Sequence, residues 1–297
     1  MTATSTLLSS STKAGRRRAG QYLFRGMTIL ALLLVLVPAV WIVVGILARA
    51  LPNWHFSVLT NTTAHGGLSN AIVGTLLITF GVGVLAGIVG IGAGIHLSEM
   101  SSTGRWSTRA DGLLRGATEV LSGFPSIVLG FVGYIALVVG LHWGFSLLPA
   151  LIILSMMVVP YIAKSTESSL NQVPTSYREG ADALGMSQGH SLRHVVLRSG
   201  FPGIVTGLLV ALAIAVGETA PLLYTAGWTN QMPTLALTHS QVPYLTYPVY
   251  AYYNQPSDSL RYLSYDAALL LLVLVLVLLV GARLIVARTQ RNAETRR

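Results

Sequence analysis

The sequence has no cysteine and very few charged residues. Only 10% of its 297 residues are Asp, Glu, Lys or Arg, against about a quarter in an ordinary soluble domain, while 53% are hydrophobic. The absence of cysteine excludes disulfides and thiolate metal sites. A soluble fold of this length cannot cover its surface with so few charged residues. The composition therefore favours a membrane protein that is surrounded mostly by lipid.

The net charge of +9 raises the question of a nucleic-acid ligand. The Lys and Arg residues lie beside apolar runs, however, and form no basic stripe with interleaved aromatic residues. We therefore expect no nucleic-acid partner.

Apolar runs long enough to cross a bilayer as helices recur along the chain. The Ser/Thr-rich and basic residues 1–26 predict a disordered cytoplasmic tail, and residues 288–297 predict a second basic tail. Between them we predict six transmembrane helices in an all-α protein, at 27–47, 71–97, two within 120–163, 200–225 and 266–287. The break within 120–163 is expected at 141–146, around Gly144.

The first apolar run, residues 27–47, also has the features of a secretory signal, because Ala48-Arg49-Ala50 resembles a cleavage site. Signal cores are shorter, about 7 to 15 residues, so we expect an uncleaved helix followed by an outer loop that extends to residue 70. With the N-terminus in the cytoplasm, all but Arg49 and Arg261 of the 19 Lys and Arg residues fall on the cytoplasmic side or at its membrane edge. The positive-inside rule thus places both termini in the cytoplasm.

Glycines recur at intervals of three or four residues in the second predicted span, at positions 83, 87, 90 and 94. Small residues at this spacing let helices approach closely in a bilayer. We interpret them as a packing surface rather than as a phosphate-binding glycine loop.

The polar stretch 164–198, between the fourth and fifth spans, contains helix signals. Ser176 and Glu179 have the spacing of a capping box, in which each side chain satisfies a free backbone donor. The pattern predicts a helix that begins at Tyr177.

This helix would place Tyr177, Ala181 and Leu184 on one face. Gly185 can end it in a left-handed conformation, and Ser187 can cap a second helix. The expected structure is a helix, a sharp corner and another helix, for which a solvated hairpin without a partner is the alternative.

The residues Glu-Gly-Ala-Asp-Ala-Leu-Gly at 179–185, followed by Val195 and Leu197, resemble the EAA loop of binding-protein-dependent ABC importer permeases. The resemblance extends over residues 71–287 and implies a type I importer permease fold. In that family the loop forms a coupling helix that docks in a groove of the ATPase subunit. The resemblance assigns this role to Tyr177, Glu179, Ala181, Leu184 and Gly185.

Two residues depart from the family pattern. Gly180 replaces the second alanine, which weakens a helix by about 1 kcal/mol, and Arg198 stands where a proline is usual. The stretch 173–185 is similar to phosphate permeases in particular.

No phosphate-binding loop of the form G-x-x-x-x-G-K-[ST] is present, because the sequence contains no Gly-Lys pair. The chain is therefore expected not to be an enzyme and to hold no cofactor, with ATP and magnesium bound by a partner ATPase. The resemblance implies two ATPase subunits beneath this chain and a homologous second permease.

Residues 217–221, Gly-Glu-Thr-Ala-Pro, resemble a signature of phosphate permeases. A carboxylate within an apolar helix is a functional candidate because its burial in a bilayer is costly, and Pro221 is expected to kink the helix beside Glu218. Glu218 can accept a hydrogen bond from a protonated phosphate oxygen, whereas sulfate carries no such proton. The alternative is a structural hydrogen bond that locks the kink.

Further candidates for the substrate pathway are Thr219, Arg115, Glu119, Ser122 and Ser126. Arg115 and Glu119 are four residues apart and predict an ion pair on one helix face, either in an inner vestibule or at the membrane surface. Many related permeases have a basic residue where this chain has Ile214, so Arg115 or the second permease is expected to supply the cation. Gly123 and Pro125 predict a kinked or unwound helix, in which the two serines either bind an anion or only pack.

The outer loop 228–262 is rich in tyrosine, which suits membrane interfaces and protein interfaces alike. We expect it either to anchor the chain at the membrane surface or to dock an external phosphate-binding protein. His190 and His194 have the spacing of metal ligands but lack a third, so no metal site is expected.

Three other functions fit parts of the sequence. A secondary transporter or channel explains six spans but not the predicted corner, and a membrane scaffold leaves Glu218 without a role. An ABC importer permease for another oxyanion or nutrient differs from the phosphate prediction only in the two motifs at 173–185 and 217–221.

Overall fold

The computed structural model describes residues 4–100 and 107–294, and within this part of the chain every regular element is a helix. The chain divides into two units, residues 1–52 and 53–297. The first is a single helix, α1 (Thr4–Ala50). It includes most of the predicted disordered tail. Its Ala, Leu and Arg residues favour helix, and adding residues to an existing helix avoids the cost of nucleation.

The second unit is a helical bundle. Its principal helices are α2 (Ser69–Ile95), α3 (Ser107–Gly123), α4 (Ser126–Gly133), α5 (Leu147–Asn171), α6 (Thr175–Ala183), α7 (Leu197–Gly217), α8 (Ala220–Thr225), α9 (Thr246–Tyr252) and α10 (Asp258–Glu294). Turns of π-helix extend α2 over His96–Met100, extend α4 over Tyr134–Gly140 and precede α7 at Leu192–Val196.

Helix α5 lies at the centre of the bundle. In the most apolar stretch of α5, 67% of the residues are buried, whereas in the corresponding stretch of α10 only 6% are. Leu154, Val158 and Ile162 of α5 form the main core with Val82 of α2 and Ala211 of α7. The apolar surface of α10 is left for lipid or for another subunit, because a helix that is apolar all round needs such surroundings.

Close packing of α2 against α5 depends on two glycines of the predicted packing surface. A Cβ atom on Gly90 would lie 2.7 Å from Ile162 Cβ, and one on Gly94 would lie 2.5 Å from Thr166 Cβ. Side chains at these positions would force the helices apart. The interpretation of the glycines as a packing surface is therefore confirmed at these two positions.

The third predicted span is sharply bent. Residues 111–123 and 126–140 meet at 104° around Phe124 and Pro125, as the Gly and Pro residues predict. Five described helices are long and apolar enough to cross a membrane, and this bent pair makes the sixth if it is one span. The predicted break at 141–146 is also present, with Gly144 at φ 66°.

The last span begins earlier than predicted. Helix α10 starts at Asp258 rather than at residue 266, and the side chains of Asp258 and Arg261 form an ion pair in its first turn. A carboxylate at a helix N-terminus interacts favourably with the helix dipole, so the polar residues 258–265 extend the helix beyond its apolar part.

Candidate functional site

The predicted corner is present between the ends of α5 and α7. Helix α6 is followed by Gly185 in the left-handed conformation (φ 70°) and by a short helix, Gln188–Ser191. We use the name corner for residues 175–191. Gly185 ends the first helix because a residue without a side chain adopts this conformation at little cost.

The predicted capping box is wrong. Helix α6 begins at Thr175 after Pro174, which has φ −56° and ψ 139°, and no side chain caps it. Proline fixes φ near the value required at this position, and its carbonyl accepts the Tyr177 amide at 3.1 Å. Ser176 therefore lies inside the helix. Ser187 precedes the second helix as predicted, but it too makes no side-chain cap.

The predicted docking face is divided. Ala181 is only 4% exposed and packs into its own bundle, whereas Tyr177 and Leu184 are 54% and 76% exposed. Leu184 directly follows α6 and its amide still donates to Gly180 O at 3.2 Å, so the three residues differ in exposure and not in helical spacing. Glu179 is exposed beside them. The corner thus presents two large apolar side chains and a carboxylate outward.

Gly180 and Gly185 provide a matched test of how the corner is stabilised. A Cβ atom at either position would meet nothing within 4 Å, but only Gly185 has a positive φ. Gly180→Ala is expected to stabilise α6 by about 1 kcal/mol, and Gly185→Ala to destabilise it by about 1 kcal/mol. Hydrogen exchange of the α6 amides should become slower in the first variant and faster in the second. Equal effects of the two substitutions would contradict this explanation.

The fifth span is broken at Glu218, not merely kinked. Helix α7 ends at Gly217, Glu218 is extended (φ −76°, ψ 133°), and α8 begins at Ala220. Pro221 has no amide hydrogen to donate to the α7 ladder, so the helix restarts with the proline in its first turn. The predicted kink beside Glu218 is thus a full interruption of the helix.

The backbone at the break is held, while the Glu218 carboxylate is unpaired. The Glu218 carbonyl accepts a hydrogen bond from Thr246 Oγ1 at 3.0 Å, and its amide donates to Ala215 O at 3.2 Å. No described side chain bonds to the half-buried carboxylate. The structural alternative, a Glu218 side-chain bond that locks the kink, is thus not what holds the break.

Helix α4 packs directly against α8. A Cβ atom on Gly130 would lie 2.7 Å from Pro221 Cα, and one on Gly133 would lie 2.4 Å from Ile153 Cγ1 of α5. These contacts cover the half of α5 near the break. The half of α5 near the corner is less covered, because Tyr161, Lys164 and Ser168 of this half are exposed.

This less covered half of α5 exposes Tyr161, Lys164 and Ser168. Lys164 forms no ion pair with a described carboxylate. An unpaired ammonium group at the edge of an apolar span requires water or a partner, so this surface is expected to face one of them. Lys164 was not among the predicted pathway residues. Its position directly after the uncharged run 120–163 places it at the membrane edge, which could have identified it as a candidate.

Arg115 pairs with a different carboxylate from the one predicted. Its Nη2 donates to Glu167 Oε1 of α5 at 2.8 Å, whereas Glu119 is exposed. The Glu167 side chain is 17% exposed, so its pair with Arg115 is better shielded from water than one with Glu119. The ion pair therefore connects α3 to α5.

The predicted serines differ in availability. The Ser122 hydroxyl donates to Thr118 O at 2.6 Å within its own helix, so its proton is already used. Ser126 is half-buried at the first position of α4, beside the bend. Of the two, Ser126 is the better placed to meet a ligand.

A small pocket with a mostly apolar lining lies behind the break. Its volume is about 10 Å³, room for about one water molecule, and it is lined by Thr75, Thr79, Tyr244 and Thr246, together with apolar residues of α2, α7 and α8. The phenolic oxygen of Tyr244 is buried there without a hydrogen-bond partner. Glu218 is not among the lining residues, so its carboxylate and this pocket are separate features.

The chain matches known transporters over most of its length. Residues 88–291 match the family described as "Binding-protein-dependent transport system inner membrane component". The chain is 55% identical to the Phosphate transport system permease protein PstA 2 of Mycobacterium bovis, over 92% of this chain and 89% of that one. It is 33% identical to the PstA permease of Xylella fastidiosa, over 82% and 85% of the two chains. The chain belongs to the PstA family of transport-system inner membrane components.

Solved structures confirm the fold expected for the PstA family. A chain of the inward-facing MetNI methionine ABC transporter superposes with a TM-score of 0.61, at 20% identity, over 74% of this chain and 95% of that one. The PstA-family chain therefore has the type I ABC importer permease fold, as predicted. It is a permease component and not itself catalytic.

The tyrosine-rich loop of this PstA-family chain has its own small core. Trp228 stacks on Tyr247 with ring centroids 4.3 Å apart, and Tyr244 and Tyr252 contact the stack edge-on. These rings pack against one another and stabilise the loop, and Trp228, Tyr247 and Tyr252 remain half-buried. Tyr250 and Tyr253, each 59% exposed, remain for membrane anchoring or for docking.

His190 of the corner and His194, just beyond it, stack on each other instead of converging on a ligand. The ring centroids of His190 and His194 lie 4.1 Å apart. Among the residues that the structure describes, no group of three or more His, Asp or Glu side chains is arranged to hold a metal ion.

Proposed function

We propose that this chain is the permease subunit of an ATP-driven importer that carries inorganic phosphate across the cytoplasmic membrane. The observation that carries the proposal is the broken fifth span, which presents an unpaired Glu218 carboxylate in a chain 55% identical to a relative named as a phosphate transport permease. A break in a span is tolerated in a membrane where it is buried in protein or lines water.

Glu218 would select phosphate through a hydrogen bond. Phosphate near neutral pH retains a proton that a carboxylate can accept, whereas sulfate has none. Thr219 and Ser126 would add hydroxyl groups near the break and the bend. Glu119 and Ser122 remain candidates for the pathway, with Ser122 the weaker because its proton is already donated within α3.

A cation must accompany the anion, because two negative charges in a low-dielectric site repel strongly. Lys164 of α5 is exposed and forms no ion pair with a described carboxylate. Arg115 is half exposed and pairs with Glu167, which lies three residues after Lys164 on α5. We propose that these two cations attract phosphate toward the end of the bundle that carries the corner. The positive-inside rule makes this end the cytoplasmic one, with both termini on the same side.

The corner would dock on an ATPase subunit. Tyr177 and Leu184 are large apolar side chains without a covering residue, and Glu179 lies beside them; Ala181 and Gly185 shape the corner from within. Exposed apolar side chains ringed by polar residues are typical of interfaces. ATP and magnesium would be bound by a PstB-like ATPase dimer, with a PstC-like second permease and an external PstS-like phosphate-binding protein completing the transporter.

Reconstitution into proteoliposomes tests this proposal. The complete transporter is expected to accumulate labelled phosphate only with ATP and the external binding protein, and to discriminate against sulfate. Equal uptake of sulfate would make the chain a permease for another oxyanion. Uptake by this chain without an ATPase would make it a secondary transporter or a channel.

A further inference from the structure

An arginine of the corner connects it to two spans of the bundle. Arg178 Nη1 donates to Glu99 Oε2, in the last turn of α2, at 2.5 Å. Its Nη2 donates to the carbonyl oxygen of Leu170, in the last turn of α5, at 3.1 Å. One guanidinium group thus joins the first helix of the corner to the ends of α2 and α5.

The carboxylate that receives Arg178 is itself held in place. The hydroxyl of Ser98 lies 3.1 Å from Glu99 Oε1 and 2.9 Å from Asn171 Oδ1, and Asn171 is the last residue of α5. The side chains of Glu99 and Arg178 are 15% and 30% exposed, so water only partly screens the pair. A charge-assisted contact in these surroundings is stronger than an ordinary surface pair.

The two spans that Arg178 joins already pack as one body. At Gly90 and Gly94 the backbone of α2 approaches α5 too closely to admit a Cβ atom, so the two helices are tightly packed along this surface. The chain connects α6 to α5 through residues 172–174, but α2 lies far from α6 in sequence. Arg178 therefore connects the corner to α2 directly.

We propose that Arg178 is a positioning residue that clamps the corner to α2 and α5 together, so that a displacement of the corner by the ATPase moves both spans. This inference rests on the proposed function for its role in transport, whereas the clamp itself is a property of this chain. Without it, the corner keeps its chain connection to α5 but loses its ion pair with α2, so a displacement of the corner is transmitted to α2 less completely and less ATP hydrolysis is coupled to transport.

The first test measures phosphate imported per ATP hydrolysed in proteoliposomes that contain the complete transporter. Arg178→Gln and Glu99→Gln are each expected to lower this ratio at least tenfold, while the ATPase stays bound and continues to hydrolyse ATP. The double variant should be no worse than either single variant, because both remove the same contact. Arg178→Lys, which keeps the charge, should recover part of the ratio.

Arg283→Gln is the matched control, because it removes an exposed arginine of α10 for which the structure shows no ion pair. An unchanged ratio in either single variant overturns the clamp. Losses that multiply in the double variant also overturn it.

The second test needs neither transport nor hydrolysis. Because the chain has no cysteine, Gly92→Cys on α2 and Asp182→Cys on α6 can be spin-labelled specifically; both positions are exposed. In the assembled transporter the distance between the labels should stay constant between the nucleotide-free and ATP-bound states, and should change or broaden when Arg178→Gln is added. Equal behaviour with and without Arg178 overturns the proposal. If the complete wild-type transporter imports no phosphate, the proposed function fails and this measurement still decides whether the clamp exists.

Discussion

Glu218→Gln is expected to lower phosphate uptake about tenfold in a transporter that still assembles, because glutamine accepts a hydrogen bond without the charge that strengthens it. The glutamine amide also carries N–H donors, which a carboxylate does not have, and a sulfate oxygen can accept a hydrogen bond from them. Selectivity should therefore fall together with rate. The measurement is initial uptake of labelled phosphate and sulfate into proteoliposomes at matched transporter content.

Asp258→Asn is the control for this substitution. It also neutralises one carboxylate, but Asp258 lies at the exposed start of α10 and pairs only with Arg261 of the same turn. An exposed pair contributes about 0 to 1 kcal/mol, so uptake should stay near the wild-type value. Wild-type uptake and selectivity in Glu218→Gln would remove Glu218 from the proposed pathway.

Leu184→Asp is expected to weaken binding of the ATPase about a hundredfold or more, because it places a carboxylate where the proposal requires an apolar side chain to be buried. Truncation of a residue that is a hot spot of an interface costs about 2 kcal/mol or more, and burial of an unpaired charge adds to this. Leu184 is 76% exposed within the chain, so the unfolding midpoint of the isolated permease should not change. The measurement is the amount of ATPase that co-purifies with the permease.

Leu235→Asp is matched to it in chemistry and exposure. Leu235 is 81% exposed and lies in the loop between α8 and α9, away from the corner. The ATPase should co-purify with this variant as with the wild type. Retention of the ATPase by Leu184→Asp would show that the corner is not its docking site.

Local signals were most reliable where one residue decides the backbone. Gly185 ends the first helix of the corner and Gly144 lies in the predicted break, because both adopt positive φ values that side chains disfavour. Pro125 likewise marks the bend of the third span. Ser176 misled the analysis because Pro174, two residues earlier, provides the geometry of a helix start without any side-chain cap.

Ion pairs could not be predicted from spacing. Arg115 and Glu119 have suitable helical spacing, yet Arg115 pairs with Glu167, 52 residues away in sequence. The ion pair of Arg178 could not be predicted from the sequence, because its partner, Glu99, is 79 residues away. The energy of such contacts depends on burial and distance, which are properties of the packed bundle.

The sequence by itself determined that this chain is a membrane protein, where its corner lies and to which family it belongs. Each of these follows from composition, from runs of apolar residues or from motifs that are local in the chain. Only the tertiary structure decided that the fifth span is broken at Glu218, that Lys164 is exposed on α5, and that Arg178 joins the corner to two spans. These features arise where segments that are distant in the chain come into contact. Their energies depend on packing and charge between residues that are far apart in the sequence.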